Sequence, residues 1–130
     1  MFATPTLFTP QLGGIVKATY DFAQHGGDVG DIALDLKLPN NAIVYQGLID
    51  VVTDPTSGGS ATVALKIEGA ADLLSATAIA SVTGLLDTTP DGTATNAVKT
   101  TAERTLTVTV ATAALTAGKF HVYLVYFLSE

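Results

Sequence analysis

The stretch from His25 to Asp31 holds the residues best suited to chemistry in this 130-residue sequence. A histidine close to Asp28 and Asp31 on a glycine-rich loop could ligate a metal ion, or act as a base with an orienting carboxylate. Asp35 falls on the same strand face as Asp31 and could add a ligand. The spacing fits neither a zinc motif nor a calcium-binding EF-hand loop, and the sequence has no cysteine. We therefore interpret the stretch as a polar turn.

The other candidates for catalysis also lack the partners that they would need. His121 lies between Phe120 and Val122 in a strand pattern, which is typical of a packed strand histidine. Many hydroxyl groups are present, but the sequence contains no Gly-x-Ser-x-Gly elbow and no base placed beside a Ser or Thr. The glycine pairs at 26–27 and 58–59 are typical of turns. We assign no catalytic, cofactor-binding or metal-binding residue and predict that the chain is not an enzyme.

Carbohydrate binding is an alternative function, and the aromatic residues of the sequence indicate how well it fits. Sugar sites usually need exposed aromatic platforms, yet Trp is absent and each of the four tyrosines lies within a strand pattern. Core or subunit-interface roles fit the tyrosines better. A carbohydrate-binding jelly-roll module therefore stays as a minor alternative.

The composition indicates one domain with an unusually uncharged exterior. Charged residues make up 14% of the sequence and hydrophobic residues 48%, whereas about 25% charge is typical. The exterior must then be mostly Thr, Ser, Ala and Gly, which favours extensive subunit contact. The net charge of −6 and the scattered basic residues predict neither a nucleic-acid nor a membrane partner. No apolar run is long enough for a membrane span, and the first residues lack a secretory signal, so we expect a soluble, unprocessed chain.

Alternating residues predict that nearly all regular structure is strand. The predicted strands cover residues 15–22, 32–38, 42–53, 60–68, a short edge strand from Val98, 105–110 and 120–128. We expect residues 42–53 to form one kinked strand that serves both sheets, with a bulge at Gly47. Residues 70–81 predict a helical turn capped by Asp72 and then an extended segment. Turn residues at 54–59 and 84–95 predict a loop and a surface excursion.

Strands at this spacing predict an all-β fold, namely a two-sheet antiparallel β-sandwich. A jelly roll is the preferred topology. Strand order does not follow from alternation, so an eight-stranded barrel and an immunoglobulin-like sandwich stay open. The predicted division is an extended N-terminal arm over residues 1–14 and a β-sandwich domain over residues 15–130.

Two segments carry more apolar surface than one copy of the chain needs. The arm contains prolines and a Gly-Gly pair, but also Phe2, Leu7 and Phe8, so we expect it to dock on a neighbouring subunit or other protein surface, where it could add a strand to an exposed edge. Folding back on its own domain is the alternative. Residues 122–128 are apolar on both faces, which predicts a central strand or one covered by a second protein. The candidate interface residues are Phe2, Leu7, Phe8, Tyr123, Val125 and Phe127.

Several segments resemble the small head decoration, or cement, proteins of tailed bacteriophages and related virion proteins. The likeness covers about residues 15–128 and is one of pattern and phrase. The segments that carry it are LPNNAIV (38–44), GLIDVVT (47–53), SGGSATV (57–63), DLLSAT (72–77), ALTAGKF (114–120) and VYLVY (122–126).

The resemblance implies a non-enzymatic β-sandwich, without a cofactor, that binds the outside of a phage head and stabilises the shell. It also implies a homotrimer placed where copies of the major capsid protein meet, and hence a location on the exterior of the virion. The likeness has no site motif, so no individual functional residue carries over. A subunit of the tail, a fibre or the baseplate is the alternative, because it would show the same β content and low charge.

Overall fold

The computed structural model describes residues 12–129. Three predicted interface residues, Phe2, Leu7 and Phe8, lie outside this part of the chain.

Residues 12–129 fold almost entirely as strands. The strands are β1 (Gly13–Asp21), β2 (Gly30–Leu38), β3 (Ala42–Ser57), β4 (Thr62–Lys66), β5 (Leu74–Ala78), β6 (Leu85–Asp91), β7 (Val98–Lys99), β8 (Arg104–Ala111) and β9 (Leu115–Leu128). One short helix, α1 (Phe22–His25), follows β1, and single 3-10 turns occupy Ile79–Ser81 and Ala94–Asn96. Among these residues, no helix has the length and apolar character needed to cross a bilayer.

The strands form two antiparallel sheets, which confirms the predicted all-β sandwich. One sheet has the order β1-β9-β3-β6, with β7 also paired to β3, and the other has the order β2-β8-β4-β5. The pairs are nested along the chain, because β1 pairs with β9, β2 with β8, β3 with β6 and β4 with β5. The central strand β9 lies between β1 and β3, as the apolar character of both its faces predicts.

The core lies between the two sheets and is built from alternate residues of each strand. In β9 the side chains of Phe120, Val122 and Leu124 are buried, whereas the residues between them reach the outer face. The Phe120 ring stacks on the ring of Tyr20 from β1, with the two centroids 5.1 Å apart. Leu106 and Val108 of β8 supply the facing layer. Period-two alternation therefore sorts the residues of β9 into a core set and a surface set.

The third strand differs from its prediction in two respects. It pairs within the five-stranded sheet and not with the four-stranded one, so it does not serve both sheets. It also runs on to Ser57, into the segment predicted as a loop. The predicted bulge is confirmed, because the pairing with β6 shifts between Gln46 and Leu48. Gly47 is required there, since a Cβ on it would lie 2.7 Å from Thr88 Oγ1.

The segment from residue 70 to 81 contains both predicted elements, but in the opposite order. Strand β5 comes first, and the helical turn Ile79–Ser81 follows it. Asp72 does not cap a helix. Its carboxylate accepts hydrogen bonds from the backbone N–H groups of Ile67 (2.9 Å), Glu68 (3.0 Å) and Gly69 (2.7 Å). Three backbone donors outcompete the helix that Asp72 alone would favour, and the carboxylate closes the turn between β4 and β5.

The predicted surface excursion at residues 84–95 is wrong, because residues 85–91 form β6. Thr88 and Pro90 are buried in it, and the Thr88 hydroxyl donates to the Pro90 carbonyl oxygen at 2.7 Å. A proline is tolerated because β6 ends the path of its sheet and gives up no central hydrogen bond. The short strand predicted from Val98 is confirmed as β7.

Candidate interaction surface

The histidine loop is held together by its own hydrogen bonds. The backbone N–H of Asp21 donates to His25 Nδ1 at 3.1 Å, and the Asp21 carboxylate accepts from the backbone N–H of Ala23 at 3.0 Å. The imidazole stacks on the Tyr20 ring with the centroids 5.7 Å apart. These contacts cap and close α1, so they explain the polar residues here without a ligand.

One carboxylate of this stretch, that of Asp31, is bound to other side chains. Asp31 accepts from Lys66 Nζ at 2.7 Å and from the Thr109 hydroxyl at 2.8 Å, and these bonds lower the pKa of its carboxyl. His121 Nδ1 lies 2.8 Å from the Thr19 hydroxyl. Across residues 12–129, no three His, Asp or Glu side chains come together to hold a metal ion. In the same residues every buried side-chain nitrogen or oxygen has a hydrogen-bond partner, so none of these buried atoms is left unpaired.

The outer face of the five-stranded sheet carries a largely apolar surface, with the polar side chain of Gln46 opposite Val125. Two shallow hollows lie on it, and they share Ile15 and Val125 as lining residues. Ile15 is 73% exposed and Phe127 is 48% exposed, so the surface is open. The large side chains of this surface, called the apolar patch below, are Leu12, Ile15, Leu48, Tyr123, Val125 and Phe127. A cluster of large exposed apolar side chains, as opposed to scattered single ones, is a feature of protein interfaces.

Strand register brings these residues together from three separate parts of the sequence. Ile15 of β1 lies opposite Val125 of β9, and Leu48 of β3 lies opposite Tyr123. Gly13, opposite Phe127, has a φ of 129°, and a Cβ on it would overlap the carbonyl oxygen of Tyr126. Glycine at this position thus lets β1 approach β9 and leaves the hollow beside Phe127 open.

Charged and aromatic groups border the apolar patch. Lys17 Nζ lies 5.6 Å from the centroid of the Tyr123 ring, in a cation–π arrangement. Asp87 of β6 lies opposite Leu48, and the ring of Tyr45 meets Phe127 edge to face with the centroids 5.8 Å apart. An apolar centre with aromatic residues and charges at its rim is the composition of a protein–protein interface.

The outer face of the four-stranded sheet is polar instead. Thr105 and Thr109 are partly exposed on this face of the strand β8, Thr107 between them is buried, and Lys66 bridges across β8 to Asp31. At the end of this sheet, the Glu68 carboxylate accepts from Arg104 Nε at 2.8 Å and from the Thr101 hydroxyl at 2.7 Å. These bonds lower the pKa of Glu68 from 4.5 to about 2.

Sequence reasoning found part of the apolar patch. The structure places the alternate residues Tyr123, Val125 and Phe127 on the outer face of β9, the central strand of the apolar patch. Ile15 and Leu48 were missed, although alternation in their own strands marks which face each occupies. The missing information was the strand order, which sets β1 and β3 on either side of β9.

The fold is similar to that of chains in solved phage capsids. A chain in the acidic stable capsid structure of Helicobacter pylori bacteriophage KHP30 superposes with a TM-score of 0.65 and 18% identity, covering 92% of this chain and 90% of that one. A chain in the capsid of Ralstonia phage GP4 gives 0.60 and 21%, covering 92% and 87%. A chain in the capsid asymmetric unit of cyanophage Pam1 gives 0.61 and 20%, covering 90% and 86%.

At these identities the likeness establishes a shared fold. No protein-family model matches the sequence, and no curated protein sequence matches it.

Proposed function

We propose that this chain is a capsid decoration, or cement, protein that binds the outer surface of a phage head and stabilises the shell. The observation that carries the proposal is the fold likeness to chains of three phage capsids over about nine-tenths of each chain. The apolar patch supports it, because a surface of this kind fits a protein that works by contact.

The strand order supports a jelly roll as the particular form of the sandwich. Without the two-residue strand β7, eight strands pair as four nested couples, the outermost being β1 with β9 and the innermost β4 with β5. A jelly roll is this arrangement, an eight-stranded double sheet built from two Greek keys, and it is common in viral capsids.

Stabilisation by such a protein needs no chemical step. A protein that binds the assembled shell but not free capsid subunits shifts the equilibrium toward the shell by mass action. Many copies on one particle multiply a modest free energy per site. The buried polar side chains of residues 12–129 all have hydrogen-bond partners, and Asp21, His25 and Asp31 are engaged in a helix cap and an ion pair, which supports a structural, non-enzymatic role.

The partner in this proposal is the major capsid protein, and the location is the exterior of the virion. The net charge of −6 supports an outward position, because a lining against packaged DNA would be expected to carry positive charge. A homotrimer at the points where three capsid subunits meet would match the symmetry of a closed shell.

The chain divides, in this proposal, into an arm over residues 1–14 and a sandwich domain over residues 15–130. Gly13 and Gly14 are already paired in β1, so the arm joins the sheet directly at the apolar patch. Phe2, Leu7 and Phe8 would anchor the arm on a neighbouring subunit, since three large apolar side chains on a short segment favour docking.

Binding to phage heads tests the proposal. Heads from a phage with the gene for this chain deleted are incubated with the purified chain, sedimented and heated. We expect saturable co-sedimentation at a stoichiometry set by the lattice, and release of DNA at a higher temperature than for undecorated heads. Purified tails from the same phage are the matched control.

Two results would overturn the proposal. Binding to tails but not to heads, as a ring or a stacked tube, would assign the chain to the tail, a fibre or the baseplate. Saturable binding to a glycan by a chain that does not bind heads would support the carbohydrate-binding alternative.

A further inference from the structure

We propose that the apolar patch of one copy is covered by residues 1–11 of a neighbouring copy of the same chain. This deepens the proposed function, on which it rests for the requirement that several copies meet. It names both sides of the contact, the outer face of the five-stranded sheet and an N-terminal segment from another copy.

The chemistry of the two surfaces matches. Residues 1–11 include Phe2, Leu7 and Phe8 and contain no Asp, Glu, Lys, Arg or His. The apolar patch offers aliphatic and aromatic side chains, with Lys17 and Asp87 at its border and not at its centre. Burial of apolar surface stabilises association by about 25 cal/mol per Å², and no charged side chain in the segment would need to be desolvated.

The direction of β1 favours a neighbouring copy as the source of the segment. Gly13 lies opposite Phe127 and Lys17 lies opposite Tyr123, so the chain enters the sheet at the Phe127 end of the apolar patch and runs toward Tyr123. Residues 1–11 are therefore joined to the sheet at this end. To cover Leu48 and Tyr123 of its own copy, the segment would have to reverse its direction at the edge of the sheet.

The length of the segment suffices to reach another copy. Eleven extended residues span about 36 Å. The apolar patch extends over the four-residue spacing between Tyr123 and Phe127, which corresponds to about 14 Å along β9. Measured from Leu12, an extended chain reaches about 33 Å to Phe2, about 17 Å to Leu7 and about 13 Å to Phe8. A segment that leaves one copy beside Phe127 can thus place Phe2 well across a subunit boundary, and Leu7 and Phe8 on a patch that begins within about 15 Å of that boundary.

Thiol cross-linking tests this contact directly, because the chain contains no cysteine and every introduced thiol is unique. One variant carries Phe8→Cys and a second carries Val125→Cys. The two are mixed in equal amounts, treated with a short bis-maleimide and run on a denaturing gel. The matched control replaces Val125→Cys with Ala33→Cys, which lies exposed on the outer face of the four-stranded sheet.

We expect the Phe8→Cys and Val125→Cys mixture to yield a product of two chains, at least about ten-fold more than the control mixture. Leu7→Cys replaces Phe8→Cys in a second series, so that one poorly placed thiol does not decide the result. Circular dichroism establishes that each variant is folded.

Three results would overturn the inference. These are equal yields from both mixtures, no two-chain product in either series, or a product within one chain when Phe8→Cys and Val125→Cys are combined in the same molecule. Head binding is measured separately on the unmodified chain. Cross-linking without head binding would therefore contradict the proposed function alone, and head binding without cross-linking would contradict this inference alone.

Discussion

The outer faces of the two sheets differ in what they present to the surroundings. The five-stranded sheet presents the apolar patch, whereas the four-stranded sheet presents Thr105, Thr109 and the Asp31–Lys66 ion pair. Both faces satisfy the strand preference for β-branched and aromatic residues, so strand formation does not account for the difference. A threonine hydroxyl can form hydrogen bonds, as Thr109 does with Asp31, whereas the side chains of Val125 and Ile15 cannot. In the proposed function, one face is adapted to solvent and the other to a protein surface.

The largest expected effect is on stability, and it should distinguish the two faces of β9. One face contributes residues to the core and the other contributes residues to the apolar patch. Phe120→Ala removes a fully buried ring that stacks on Tyr20 and should lower the free energy of unfolding by about 3–5 kcal/mol. Tyr123→Ala, three residues away on the outer face, should lower it by less than about 1 kcal/mol and should weaken association instead. Urea unfolding of both variants checks this. Equal losses of stability would remove the distinction between the two sides.

A charge on each outer face should separate the two faces by their effect on association. Val125→Asp places a carboxylate at the centre of the apolar patch, where burial against a partner leaves it without a counter-charge. We expect self-association or head binding to weaken at least about 100-fold, equivalent to about 2.7 kcal/mol. The control Ala33→Asp adds the same charge to the outer face of the four-stranded sheet. Sedimentation equilibrium measures the self-association of both variants, and co-sedimentation measures their binding to heads. Equal weakening by the two variants would contradict the distinction between the two outer faces.

In contrast to the apolar patch, the turn between β4 and β5 is held by a polar side chain, the carboxylate of Asp72. Asp72→Ala leaves three backbone N–H groups without their acceptor and should lower the free energy of unfolding by about 1–3 kcal/mol. Asp87→Ala, an exposed position on β6, is the control and should change it by less than about 0.5 kcal/mol. Thermal unfolding checks the prediction. A neutral Asp72→Ala would show that the turn closes without the carboxylate.

The smallest expected effect is a pH dependence of the stability that arises at Glu68, at the end of the four-stranded sheet. The folded chain holds the pKa of Glu68 at about 2, below its usual 4.5, because Arg104 and Thr101 donate to the carboxylate. The resulting stabilisation is present above about pH 4.5 and is lost as the pH falls toward 2. Glu68→Gln should therefore flatten the fall in stability over this window, with Glu103→Gln as the control for charge. An unchanged slope in Glu68→Gln would contradict the assignment.

The fold could be predicted from the sequence where alternation is clean, and less well where composition misleads. The alternation around β9 identified both the core residues and the outward Tyr123, Val125 and Phe127. Residues 84–95 contain Thr-Pro-Asp-Gly, which is typical of a turn, yet tertiary packing buries Thr88 and Pro90 in a strand. Tertiary contacts outweigh local preference in such segments.

The apolar patch could be predicted only in part because it is assembled from distant residues. Ile15 and Val125 are 110 positions apart in sequence and become neighbours through the pairing of β1 with β9. No local pattern carries the order of strands in a sheet. The sequence therefore indicates which side of each strand faces outward, but not which strands stand side by side.

Imaging of phage heads that carry this chain, by electron cryomicroscopy at a resolution that separates side chains, tests the central claim most directly. The account predicts that the outer face of the five-stranded sheet is covered by another protein chain, with Val125 and Ile15 buried, while Thr105 and Ala33 face solvent. The account would be contradicted if copies on the head had Val125 open to solvent and the outer face of the four-stranded sheet in contact with another chain.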